Sequence, residues 1–140
     1  MGVVATTAVV PMEPERVFAC MTDPAEVMKL SPEIEAFELS GAPGPGTKVR
    51  ETRRVLGRRM RLEWTITDYE PNRRIVLSWS GRSVQVTGAV TLEPVADGTR
   101  VSTHNELRSR GVFRLLEPLV RRAVAREERV IFERMGGRIG

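Results

Sequence analysis

Between Glu33 and Leu107 the chain is a succession of strand-length runs separated by short turns rich in Gly, Pro, Asn and Asp. This spacing constrains the fold more than any other feature. A parallel connection needs a crossover of roughly a dozen residues or more, so consecutive runs joined this closely must pair as antiparallel neighbours. The runs lie at about 34 to 40, 46 to 56, 59 to 69, 74 to 80, 83 to 93 and 99 to 107. Between them stand Gly41 to Gly46, Gly57-Arg58, Pro71-Asn72, Gly81-Arg82 and Ala96-Asp97-Gly98, which supply the positive or fixed φ angles of tight turns.

Alternation gives this meander one dry face and one wet face. Met60, Leu62, Trp64 and Ile66 share a side, and Arg59, Arg61, Glu63, Thr65 and Thr67 share the other. The same parity points Ile75, Leu77 and Trp79 inward, then Val84, Val86, Val90 and Leu92, then Val101, Thr103, Asn105 and Leu107. A one-faced sheet must be covered, and the only long element left is the segment from about Val112 to Met135. It carries Val112, Leu116, Leu119, Val120, Ala123, Val124, Val130 and Ile131 at helical spacing. A helix of about 20 residues spans roughly 30 Å, enough to cross such a sheet. Pro118 is expected to kink or restart it.

Upstream, the β-branched run Val3 to Val10 ends at Pro11 and reads as a strand at or near a sheet edge. Pro14 opens a short helix carrying Val17, Phe18 and Met21. Asp23-Pro24 caps and opens a second, which Ser31-Pro32 closes. The expected fold is α+β: a curved seven-stranded antiparallel sheet wrapped around a long C-terminal helix, with two short helices after the first strand. At 140 residues the chain is expected to form one domain, 1–140.

Composition narrows the function classes. The net charge of +4 arises from 22 basic residues interleaved with 18 acidic ones, a mild excess that gives little support to nucleic-acid binding. No run approaches the roughly 20 apolar residues of a membrane span, and nothing near Met1 has the form of a signal peptide, so a cytoplasmic protein without stable membrane insertion is expected. Cys20, the one cysteine, can form no internal disulfide and lies in an apolar helical stretch, which suits a buried thiol. One His and one Cys at unrelated positions cannot build a metal site. The glycines from Gly41 to Gly46 precede a strand, not a helix, so they form no phosphate cradle. No cofactor is expected.

The stretch Val9-Val10-Pro11-Met12-Glu13-Pro14-Glu15-Arg16-Val17-Phe18, followed by Thr22-Asp23-Pro24, resembles the opening of the START-like (SRPBCC) superfamily, in its polyketide cyclase/dehydrase-type branch. So do Gly46-Thr47, Val55-Leu56-Gly57-Arg58, Tyr69-Glu70-Pro71, Gly98-Thr99-Arg100-Val101, and Arg110-Gly111 before Leu115-Leu116-Glu117-Pro118-Leu119. This resemblance to the birch-pollen-allergen-like proteins covers essentially the whole chain. It implies a helix-grip fold with a cavity between sheet and long helix for lipids, polyketides, hormones or other apolar metabolites. These motifs are structural punctuation and transfer no catalytic triad.

Several residues could serve such a cavity. Trp64 and Trp79, inward on adjacent strands, either grip a planar ligand or fill core. Phe37, Met60 and Leu62 would extend the apolar wall from the sheet, and Leu116, Val120 and Ala123 from the helix. Glu51 and Arg53 lie between Val49 and Val55 at inward parity, where two charges persist only if paired or wet. There Glu51 would act as a general base and Arg53 would polarise a carbonyl; a register slip would instead put both in solvent. Thr103 and Asn105 would either orient a ligand by hydrogen bonds or be satisfied within the core or at a strand end. His104 has outward parity, and Tyr69 is expected to pack at its strand's end.

Two functions follow. One is binding of a small hydrophobic metabolite, polyketide- or lipid-like, by a monomer or homodimer. The other is a cyclase or dehydratase acting on a poly-carbonyl intermediate through Glu51 and Arg53. Binding of nucleic acid or an anionic membrane by arginines of the last helix is a third, weaker reading.

Overall fold

A computed structural model describes residues 2–139. In chain order the elements are β1 (Gly2–Val10), α1 (Pro14–Thr22), α2 (Pro24–Leu30), β2 (Ile34–Leu39), β3 (Lys48–Val55), β4 (Arg58–Glu70), β5 (Arg74–Ser80), β6 (Val84–Val95), β7 (Gly98–Ser109), α3 (Phe113–Arg134) and β8 (Arg138–Ile139). One curved antiparallel sheet runs β2-β3-β4-β5-β6-β7-β1-β8. The meander from β2 to β7 therefore pairs hairpin by hairpin, as the short turns dictate, and β1 closes onto β7 from Gly2↔Leu107 to Val10↔Thr99.

The sheet has eight strands, not seven. Gly136, at φ 80, turns the chain back after α3 and lays Arg138 and Ile139 against Val9 and Ala8. β1 is consequently one strand in from the edge. Both short helices form where expected, and the Asp23 carboxylate accepts the Ala25 N–H at 3.0 Å to cap α2. The β3–β4 turn places Leu56 at φ 51 and Gly57 at φ 80, the doubly positive geometry of a two-residue hairpin.

A bulge between Ile66 and Asp68 re-aims the end of β4. Without the extra residue Thr67, Tyr69 would turn to solvent; with it, Tyr69 pairs with Ile75 and meets the Phe18 ring edge-on at 5.5 Å. The core gathers there. Val17, Phe18 and Cys20 of α1 pack with Val10, Ile66, Ile75, Leu92 and Val101 from the sheet and with Phe132 and Met135 near the C-terminal end of α3.

Pro118 does not restart α3, which runs continuously from Phe113 to Arg134. The apolar residues at its start are not covered by the sheet. Val112 is 71% exposed, and Leu116 and Leu119 are exposed too. The helix is clamped by Phe132 and Met135 and packs mainly along β1, where Glu117 and Arg121 lie against Gly2, with lesser contact to β7, β8 and α2. Among the described residues no helix is long and apolar enough to cross a membrane.

Candidate ligand-binding and acid–base site

Glu51 and Arg53 do face inward. In the β3–β4 ladder Val49 opposes Trp64, Glu51 opposes Leu62 and Arg53 opposes Met60, so all six share the concave face. No slip of β3 occurs, and Glu51 is 7% exposed. Its Oε1 accepts the Trp64 indole N–H at 2.8 Å and lies 3.2 Å from Arg53 Nε, which approaches at an angle too poor for a hydrogen bond. Its Oε2 has no hydrogen-bond partner among the described residues, yet it is not sealed from solvent.

The arginine is held from the opposite side by the helix. Glu127 of α3 takes Arg53 in a two-pronged pair, Nη1 to Oε2 at 2.9 Å and Nη2 to Oε1 at 2.7 Å, and Glu127 Oε1 also accepts the Ser31 hydroxyl. Each Nη keeps a second N–H for another acceptor. Burial pushes the Glu51 carboxyl above the ordinary carboxylate range, against the downward pull of Arg53 and the Trp64 N–H, and the Glu127 charge adds to the rise.

A second buried carboxylate stands next along the helix. Glu128 accepts from Thr6 Oγ1 at 3.3 Å and from Asn105 Nδ2 at 3.3 Å, and the Thr103 hydroxyl lies between it and the Thr6 carbonyl. Burial raises this carboxyl too, more than the Thr103, Asn105 and Thr6 donors lower it. Thr103 and Asn105 thus hold a side chain from the protein itself. Gly88 opposes Asn105 on β6, where a Cβ would sit 2.7 Å from Asn105 Oδ1, so glycine keeps that amide in place. Glu127 and Glu128 were missed by sequence reasoning, although a signal existed. Ala123 and Ile131 flank Glu127 at four-residue spacing, as Val124 and Phe132 flank Glu128, so two acids interrupt the apolar face.

The remaining predicted wall residues divide. Leu62 is buried and Phe37 half-buried against the core. Trp64 and Trp79 meet with ring centroids 6.4 Å apart, both half-buried. Val120 and Ala123 are half-buried, whereas Met60 and Leu116 are exposed. A small hollow beside the end of α1, lined in part by Phe37, Val49 and Ile66, amounts to about 20 Å³, room for about one water. Beyond it the concave face is a trough that solvent reaches at Met60 and Leu116, with Trp64 and Trp79 half-buried. His104 is exposed, as its parity requires. Among the described residues no group of His, Cys, Asp and Glu can hold a metal ion.

Comparison with known proteins shows the same fold elsewhere. A structure from Thermus thermophilus, TTHA0849, superposes with a TM-score of 0.79 at 20% identity, covering 96% of this chain and 94% of its own. Ara h 8.0201 superposes at 0.72, also at 20% identity, covering 96% and 95%. A curated relative, an uncharacterized protein of Mycobacterium tuberculosis, is 26% identical over 127 residues, 89% of either chain. The model of the family described as "Polyketide cyclase / dehydrase and lipid transport" matches residues 1–138, and the chain belongs to that family.

Proposed function

We infer that this chain binds a small, largely apolar metabolite bearing carbonyl or hydroxyl groups, polyketide- or lipid-like, along the trough between α3 and strands β3 to β6. The observation that carries the reading is the unpartnered Glu51 Oε2 at a polar cluster set among half-exposed apolar side chains, Trp64 and Trp79 foremost. An apolar wall with a few convergent polar groups is the usual make-up of a small-molecule site. Members of the matched family are described as cyclases, dehydrases and lipid transporters, which fits a ligand of this class.

Native mass spectrometry of the chain purified from its host should reveal a co-purified apolar adduct. Titration with an anilinonaphthalene sulfonate dye should give binding that Trp79→Ser weakens at least fivefold, on the order of one buried aromatic contact, with an unchanged circular dichroism spectrum. Dye binding indifferent to Trp79→Ser would remove the trough from consideration.

The raised Glu51 carboxyl favours a second reading, catalysis. Glu51 would take a proton from the carbon between two carbonyls, Arg53 would stabilise the enolate oxygen, and the enolate carbon would attack a further carbonyl to close a ring. Glu51→Gln should then abolish turnover of a poly-carbonyl substrate while leaving its affinity intact. Unchanged turnover would remove Glu51 from the mechanism, and no turnover by the wild-type chain would leave binding as the function.

A further inference from the structure

A polar pocket of about 310 Å³ lies at the end of the sheet where the β5–β6 turn meets the β7–α3 junction, lined by Gly81 to Gln85 and by Arg108, Ser109 and Arg110. Three of its side chains are arginines, Arg82, Arg108 and Arg110, and none has a carboxylate within ion-pair distance among the described residues. The next acid along the chain, Glu117, accepts the Ser109 hydroxyl at 2.6 Å and so ties the pocket wall to the second turn of α3. From Arg108 to Arg126 the chain carries six arginines against that one acid.

Immediately beyond Arg110, α3 turns an apolar stripe outward. Val112, Leu115 and Leu119 follow one helical face at 71%, 80% and 48% exposure, and Phe113 beside them is 44% exposed. Contiguous exposed apolar surface of this kind marks an interaction site. A second copy of the chain would bring arginine against arginine, so charge favours an anionic partner with an apolar layer beneath its charged surface.

We propose that the start of α3 and the arginine pocket together form a peripheral docking surface for an anionic phospholipid bilayer, with Val112, Leu115 and Leu119 entering the acyl boundary and Arg82, Arg108 and Arg110 taking a lipid phosphate. This surface is distinct from the trough, and its test does not depend on what the trough holds.

The test is co-sedimentation of the full chain with vesicles of phosphatidylcholine alone or with about 30% phosphatidylglycerol, at low and high salt. Binding is expected only to the anionic vesicles and should weaken as salt rises, since each arginine near such a surface contributes about a fivefold affinity step. Two variants separate the parts: Leu115→Ser/Leu119→Ser removes the wedge, and Arg82→Gln/Arg108→Gln/Arg110→Gln empties the pocket of charge. Either should lower partitioning at least tenfold while dye binding in the trough is unchanged. Equal binding to neutral vesicles, or no vesicle binding, overturns the proposal. Saturation of the pocket by inorganic phosphate without vesicle binding overturns it in favour of a free-anion site. A change only in the sedimentation equilibrium of the Leu115→Ser/Leu119→Ser variant overturns it in favour of a second copy.

Discussion

Arg53→Met tests whether the inner charge cluster behaves as a buried one. The guanidinium is 17% exposed and bridges Glu51, at 6%, to Glu127, at 12%. Its removal leaves two facing carboxylates with only the Trp64 indole and the Ser31 hydroxyl as donors. Breaking a buried pair by removing one partner costs about 3–5 kcal/mol, and the residual exposure of Arg53 places this case near the lower end, about 3 kcal/mol. With a urea slope of about 2 kcal/mol/M, the unfolding midpoint should fall by about 1.5 M at pH 8. The loss should shrink toward pH 5. Removing the cation takes away the one charge that pulls the raised Glu51 carboxyl down, and an acid whose folded pKa is raised contributes less stability as pH climbs above its unfolded value, so protonation at low pH relieves the loss. Adding Glu51→Gln and Glu127→Gln to Arg53→Met should recover most of the stability at pH 8. A loss under about 1 kcal/mol, or one equal at pH 8 and pH 5, would mean the cluster is screened like a surface pair, and the acid–base reading of Glu51 would lose its physical basis.

Two further measurements probe neighbouring features. Burial raises the folded-state carboxyl of Glu128, so wild-type stability should increase as pH falls from neutrality toward its unfolded value; Glu128→Gln should flatten that slope in urea titrations, and an unaltered slope would count against a buried, charged Glu128. Gly98, at φ 140, has the Val10 carbonyl where a Cβ would project, so Gly98→Ala should destabilise by more than about 2 kcal/mol in thermal unfolding, and a near-neutral effect would refute the close approach of β7 to β1.

Much of this architecture can be read from residue order because it depends on local rules. The alternation from Met60 to Ile66 has one period that fits a half-buried strand, and a shift by a single residue would turn every side chain over, so parity placed Thr103 and His104 on their correct faces, whereas for Glu51 and Arg53 it left a slip open that only the β3–β4 register closes. Asp23-Pro24 announced a helix start through capping chemistry confined to three residues. The bulge at Thr67 and the two-residue strand β8 had no comparable signal, since each exists only where a partner strand lies alongside.

Turn spacing and side-chain period act within a few residues, and from them alone follow the antiparallel meander, the short helices and the long final helix; the inward aim of Glu51 and Arg53 was decided by the pairing of β3 with β4. What those charges meet depends instead on how distant segments pack. Glu127 and Glu128 reach Arg53 and Asn105 because Phe132 and Met135 clamp the far end of α3 beside β1, where Thr6 and Glu128 join across a separation of 122 residues. The same packing leaves Leu115, Leu116 and Leu119 in the first half of the helix exposed. Helical periodicity specifies an apolar stripe, but the angle at which a helix crosses a sheet specifies which part of that stripe is covered.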